Sequence, residues 1–369
     1  MRAWPLVGIT VIQALLFAAH WFLFSTWIAF HPALSAAAAL ELRGVLAVLA
    51  MSFIVAALLS FRFSNWLVAS IYKAAAVWLG LLNFFFLAAC LCRLSDFALR
   101  ELHIHVNRPP LCDSFFALGV LTAIYGIFNA RHIRLRHVTI TLGNLPDAWR
   151  GRTALLMSDL HLGHVNGQQF SSKIAALAAR LQPEIVFIAG DIFDGSKADP
   201  VKLIAPFKTL TPPFGIYFAT GNHDEFGNIA HCKSALQKAG IRVLTNEKIL
   251  VDGLQIVGVD YGDSTYPLRL RILLENLALD PGTASILLNH VPNRLPIVER
   301  AGVGLQLSGH THGGQIFPFT WFTRRAFGKF TYGLQQFGAL QVYTSSGAGT
   351  WGPPMRVGTR PEAVLLHFQ

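Results

Sequence analysis

The chain has 369 residues, 53% of them hydrophobic and only 14% charged, with a formal net charge of +10. Such a balance is too apolar for an ordinary soluble domain. The basic residues are scattered and no nucleic-acid module is recognisable, so the excess charge points to a membrane surface or an anionic substrate, with no nucleic acid as partner.

The averages conceal two unlike parts, residues 1–130 and 131–369. A helix needs about 20 apolar residues to cross the hydrocarbon core. Four runs in the first part qualify: 6–30, 44–61, 74–92 (with 66–72 as an extension past Lys73) and 111–130. The first run is too long for a secretory h-region and three more follow it, so it reads as a retained helix. His20, Lys73 and Asp113 lie in or near these runs, and Lys73 and Asp113 sit close enough to span ends to reach the interface. Four spans put the N-terminus and the second part on one side. The positive-inside rule weighs Arg2, Arg62, Arg131, Arg134, Arg136 and Arg150 against Arg43, Arg93, Arg100 and Arg108, and predicts a cytoplasmic second part. There is no CxxC motif among Cys90, Cys92, Cys112 and Cys232; a bridge between Cys92 and Cys112 requires an extracytoplasmic loop.

From Arg136 onward short apolar runs alternate with amphipathic stretches. Strands are predicted at Thr153–Met157, Ile185–Ala189, 215–219, 255–259, Ser285–Leu288 and 304–307, and helices at 171–181, 229–239 and 268–277. This alternation describes a layered α/β domain. Polar groups gather just after the strands: Asp159 and His161, Asp191, Asn222 and His223, His290, and finally His310 and His312. Ligands of α/β sheets bind beyond the carboxyl ends of strands. Two divalent cations about 3.5–4 Å apart need a bridging group and further protein ligands on each side. The Asp191 carboxylate suits the bridge, and a mixture of imidazole, carboxylate and amide donors suits Mn, Zn or Fe. The i, i+2 spacing of Asp159 with His161 and of His310 with His312 is expected to aim each pair one way from an extended segment.

The ordered series Asp-x-His, Gly-Asp, Gly-Asn-His-Asp, lone His and Gly-His-x-His resembles the calcineurin-like metallophosphoesterase superfamily. The stretches 158–163, 307–315 and 349–356 further resemble a bacterial, membrane-anchored subgroup, and the likeness covers residues 136–369. It implies an αββα sandwich; joined to the four spans read from the apolar runs, this makes an N-terminal four-helix transmembrane region followed by that sandwich, in a multi-pass protein of the bacterial inner membrane. It also implies two metal ions: Asp159, His161 and His312 on one, Asn222, His290 and His310 on the other, and Asp191 on both. By the same resemblance His223 is the catalytic general acid or phosphate donor, and Asp194 orients it. Protein phosphatases of the superfamily carry Arg directly after the position of Asp194. Here that residue is Gly195, which argues against a phosphoprotein substrate. Arg356, in a stiff Gly-Pro-Pro loop, and His164, close after His161, are read as candidate substrate-binding residues; His103, His105, His137, His231 and His367 read as structural or solvated.

The expected reaction is metal-dependent hydrolysis of a phosphomonoester, phosphodiester or pyrophosphate. The membrane spans and the run Arg131, Arg134, Arg136 favour an amphiphilic or lipid-linked substrate. Certain relatives cleave UDP-2,3-diacylglucosamine in lipid A synthesis, which supplies one named alternative. A transporter or sensor with a regulatory metal domain is the rival of another class, disfavoured by the lack of clustered intramembrane charge. A nuclease is disfavoured by the lack of a basic groove interleaved with aromatics.

Overall fold

The computed structural model describes residues 4–226 and 228–369. Arg2, counted above among the inner flanks, lies outside the described residues. The chain forms two compact units. One runs to Phe128 and takes in Gly352–Val357; the other comprises Asn129–Trp351 and Gly358–Gln369.

The first unit is built on α1 (Trp4–Phe30), α2 (Ala36–Arg62), α3 (Trp66–Glu101) and α4 (Arg108–Ala130), all four long and apolar enough to cross a membrane. Ser35 and Asn65 start α2 and α3 by accepting the N–H groups of Ala38 and Val68. The two runs expected around Lys73 are one continuous helix, with Lys73 exposed on it. Several of the polar groups are paired. Trp78 Nε1–H donates to His20 Nε2 at 3.0 Å, and Arg93 donates to the Ser25 carbonyl and the Thr26 hydroxyl, linking α3 to α1. Asp113 lies 3.2 Å from His31. Cys92 and Cys112 pack in one cluster with Phe30 and remain free thiols. The stretch Gly352–Val357 packs on these helices: a Cβ placed on Gly80 would lie 2.5 Å from Met355, and the Arg356 N–H donates to the Gly126 carbonyl at 2.9 Å.

The second unit begins with β1 (Arg134–Ile140), β2 (Thr153–Met157), α5 (Gln168–Leu181), β3 (Ile185–Ala189), α6 (Pro200–Ile204), β4 (Ile216–Ala219), α7 (Ile229–Lys238) and β5 (Ile241–Val243). It continues through β6 (Glu247–Val251), β7 (Leu254–Gly258), α8 (Tyr261–Ser264), α9 (Pro267–Leu277), β8 (Ser285–Leu288), α10 (Leu295–Arg300) and β9 (Leu305–Ser308). It ends with α11 (Phe319–Phe327), β10 (Gly333–Phe337), β11 (Leu340–Thr344) and β12 (Glu362–Phe368). The strands form two six-stranded sheets, ordered β1-β12-β2-β3-β4-β5 and β10-β11-β9-β8-β7-β6.

Alternation along each strand decides which face is which. Leu156 and Phe187 from the first sheet meet Ile256, Ile286 and Leu307 from the second in one core. Leu155 and Ile188, on the opposite face, pack under Ile174 of α5 and Leu236 of α7. Val257 and Leu287 pack under Leu270 and Leu274 of α9. The result is the αββα sandwich. Fully burying a side chain such as Phe187 contributes about 1.5–3 kcal/mol. The central strands β2, β3 and β8 are apolar on both faces because helices or the facing sheet cover both.

Candidate metal centre

β2, β3 and β4 are parallel neighbours, as are β8 and β9, so the loops that follow them gather at the carboxyl edges of their sheets. These loops carry Asp159 and His161, Asp191, Asn222 and His223, His290, and His310 and His312. Hydrogen bonds stitch the two sheets together there. His290 Nδ1 lies 2.8 Å from the Ala189 carbonyl, and the His310 N–H donates to the Asp159 carboxylate at 3.0 Å. Gly309 makes that approach feasible, since a Cβ at this position would fall 2.2 Å from Asp159 Oδ2. The local backbone differs from the extended pairs expected from the i, i+2 spacing. Asp159, His161, Asp191, His310 and His312 all have φ between 46° and 69°. The strands end before these residues, and tight left-handed turns aim the side chains.

The side chains converge. His161 Nε2 is 3.0 Å from His312 Nε2, and His312 Nε2 is 3.4 Å from Asp159 Oδ1. Asp191 Oδ2 lies 3.7 Å from His161 Nε2 on one side and 3.2 Å from His290 Nε2 on the other. His310 Nδ1 and Asn222 Oδ1 are 3.0 Å apart. Asp159, Asp191 and His290 form a further group whose ligand atoms lie within 4.8 Å of one another.

The donor set fits divalent cations. His290 Nε2 is buried beside a carboxylate yet makes no hydrogen bond of acceptable geometry. Asp159, Asp191 and His290 are almost fully buried. Burial pushes the Asp159 carboxyl up to about 6. Burial opposes charge on His290, but the Asp191 carboxylate outweighs it and lifts the imidazole to about 10. Asp191 responds in the opposite direction: burial disfavours its charge, and His290 overcomes this and holds it well below the usual carboxylate range. Buried carboxylates with imidazole lone pairs turned towards them form a pocket in which a cation can replace the shared protons.

The description "calcineurin-like phosphoesterase" belongs to the family profile that matches residues 153–314. An uncharacterized metallophosphoesterase of Campylobacter jejuni is 31% identical over 265 residues, covering 69% of this chain and 69% of that protein. The chain belongs to the calcineurin-like metallophosphoesterases. A transmembrane protein with metallophosphoesterase domain from Danio rerio is 30% identical over 328 residues, 82% of this chain and 74% of its own. A metallophosphoesterase of Aquifex aeolicus is 31% identical over 68% of this chain and 98% of its own. This metallophosphoesterase is therefore a membrane protein and a hydrolase of phosphoric ester or anhydride bonds, with His/Asp clusters able to hold two metal ions.

Around these clusters the metallophosphoesterase departs from expectation in several places. His223 is half-buried, with its N–H donating to Asp191 Oδ1 at 2.8 Å and its ring 4.7 Å from that of His161. Its Nδ1 faces the backbone carbonyl of Asp194 at 3.2 Å, so the expected carboxylate–imidazole pair is replaced by a carbonyl–imidazole one. The Asp194 carboxylate accepts instead from the N–H groups of Ser196 and His164. Gly195 has φ +80°, and a Cβ there would lie 2.8 Å from Phe226, which keeps a side chain out of that position. His164 is only 6% exposed, and its backbone N–H donates to the Asp194 carboxylate. Arg356, a candidate substrate-binding residue, is fully buried and groups with the helical unit.

Two features escaped the sequence reading. Asp224 Oδ2 accepts from the N–H groups of Asp191 and Gly221, at 2.7 and 2.8 Å, and its Oδ1 accepts from Phe193 at 3.0 Å. It clasps the turn after β3 to the turn after β4. The Gly221-Asn222-His223-Asp224 block contained the residue but gave no sign of its contacts. Trp351 stands beside the His223 ring at 5.6 Å, and Gln315 pins its backbone through two 2.9 Å hydrogen bonds.

Proposed function

We propose that the protein is a membrane-bound two-metal phosphoesterase acting on an amphiphilic phosphoester or pyrophosphate. In this reading Asp159, His161 and His312 hold one ion, Asn222, His290 and His310 the other, and Asp191 both. The observation that carries it is Asp191 Oδ2, flanked by His161 Nε2 at 3.7 Å and His290 Nε2 at 3.2 Å. When bound, the cations neutralise charge on the phosphoryl oxygens and activate water.

The chain's own residues do the rest. His223 is tethered by its backbone to the bridging carboxylate, so its ring stays at the edge of the cluster. With Nδ1–H donating to the Asp194 carbonyl, the proton that imidazolium can give to a leaving oxygen is the one on Nε2. After transfer the neutral ring keeps its Nδ1 proton and its orientation. Trp351 is 54% exposed next to this ring and offers a flat apolar surface to the leaving group.

The arginine balance around the spans favours a cytoplasmic catalytic unit, and the likeness to bacterial metallophosphoesterases favours the inner membrane of a bacterial cell. A lipid-linked nucleotide pyrophosphate, of which UDP-2,3-diacylglucosamine is one example, combines the charge and apolarity that such a location supplies. Purified full-length protein in detergent, assayed with Mn, Zn, Fe and Mg against phosphomonoesters, phosphodiesters, nucleotide-sugar pyrophosphates and lipid-linked pyrophosphates, tests the reading. We expect the highest kcat/KM on a lipid-linked substrate with Mn, Zn or Fe. A higher value on a soluble phosphomonoester, or turnover without any divalent cation, would overturn it.

A further inference from the structure

Helix α11 folds with its polarity reversed. Its inward face is made of Thr320, Thr323 and Phe327. Thr320 lies against Gly314 and Gly358, where an added Cβ would come within 2.4 and 3.2 Å of it, and Phe327 stands 6.1 Å from the His310 ring. The outward face carries the large apolar side chains: Phe319 is 55% exposed, Trp321 61% and Phe322 54%, with Phe317 just ahead at 50%. No residue of the helix is buried. A surface helix that packs on its own domain does the opposite, burying its aromatics and exposing its threonines. Four half-exposed aromatic side chains amount to an apolar patch of roughly 400 Å².

The surroundings select the partner. Arg324, Arg325 and Lys329 are exposed on and just after the helix. No acidic residue occurs between Glu299 and Glu362, so nothing in this stretch opposes an anionic surface. Trp and Phe beside Arg and Lys is the composition of helices that lie in the headgroup region, where Arg can reach up from an apolar face. The bilayer is also close by covalent necessity. Helix α4 ends at Ala130 and β1 starts at Arg134, a connection whose reach is about 10–15 Å.

We propose that α11 is an interfacial helix. Phe317, Phe319, Trp321 and Phe322 sink to the edge of the hydrocarbon of an anionic bilayer, and Arg324, Arg325 and Lys329 meet its lipid phosphates. The loop that carries His310 and His312 runs directly into this helix, and Phe327 backs onto His310. Docking therefore holds the candidate metal centre at a set distance from the headgroup plane.

The test uses the unmodified full-length protein in nanodiscs of phosphatidylcholine alone or mixed with phosphatidylglycerol. Hydrogen–deuterium exchange of residues 317–329 should be slower in the anionic discs. Arg324→Gln with Arg325→Gln should weaken docking there about thirtyfold, roughly fivefold per basic residue. Exchange at one rate in both lipids would overturn the proposal. A second readout places a nitroxide at Phe322→Cys in a chain whose four native Cys are Ala. Oxygen should quench it more than a water-soluble nickel complex does, the reverse of a label at Leu250→Cys, where the native side chain is 68% exposed. Nickel accessibility equal at the two positions, or short nitroxide distances between copies, would assign this face to water or to a second copy instead. Neither readout involves phosphoester turnover, so the result is independent of the substrate reading above.

Discussion

Asp224 offers the sharpest probe of how the centre is held. Its two carboxylate oxygens take three buried backbone N–H groups, from Asp191, Gly221 and Phe193. In Asp224→Asn a single oxygen remains. If it stays with Asp191 and Gly221, the new amide NH₂ points at the Phe193 N–H, donor against donor. A buried N–H left without an acceptor costs about 1–3 kcal/mol. For a domain of this size that lowers Tm by roughly 2–12 °C. Because the clasp fixes the backbone of Asp191, metal affinity should also fall by about 10–100-fold, the usual effect of removing a group that orients a ligand. Thermal-shift measurement on the full-length protein, with metal content by mass spectrometry after dialysis against a competing chelator, reads both quantities. Unchanged Tm and unchanged metal retention in Asp224→Asn would refute the clasp. A lowered Tm with normal metal retention would confine its role to the fold.

Asp191→Asn should lose both ions in the same metal analysis if, as proposed, one carboxylate serves both sides; retention of two ions with full activity would show the site to be misassigned. His223→Asn should keep its metals and lose about 10²–10⁴-fold in kcat, with a smaller loss on substrates with good leaving groups; a uniform loss would point to phosphate binding instead. Arg131→Gln with Arg134→Gln should raise KM for a substrate in anionic vesicles and leave a small soluble phosphodiester unaffected. Arg136 is a poor member of that set, since it donates to Tyr332, which in turn donates to Glu362, and Arg136→Gln should instead lower Tm by roughly 2–4 °C for each 1 kcal/mol lost. A thiol at the exposed Lys197 position should resist an impermeant reagent in intact cells and react after lysis; labelling of intact cells would place the catalytic unit outside.

Several central elements were legible because burial on both faces leaves an apolar run, although β12, equally buried between β1 and β2, was not assigned from the sequence. Thr153–Met157, Ile185–Ala189 and Ser285–Leu288 occupy the predicted residues. The sheet margins were not. β1 is exposed over its first four residues and β10 is only half-buried, so neither strand carries the pattern of a core. α11 escaped notice because its packed face is threonine. At the centre, residue types and order were readable from the motif series, whereas backbone geometry was not. Spacing alone does not distinguish an extended Asp-x-His from one in a left-handed turn. Nor does it reveal that the Asp194 contact to His223 runs through a carbonyl while its carboxylate serves Ser196 and His164.

The left-handed turns have a consequence for the life of the protein in a cell. Each non-glycine residue held in that region costs on the order of 1–2 kcal/mol. Asp and His tolerate the region better than most residues, so for Asp159, His161, Asp191, His310 and His312 the sum is at most roughly 5–10 kcal/mol, still a sizeable share of the net stability of a typical domain. Ligand binding to the native state alone supplies stability by mass action. Cation supply during synthesis should then govern how much of this chain escapes proteolysis. Starvation for the cognate metal would reduce its abundance before any assay of its chemistry was possible, and the steady-state level of the protein in growing cells would itself report which metal it uses.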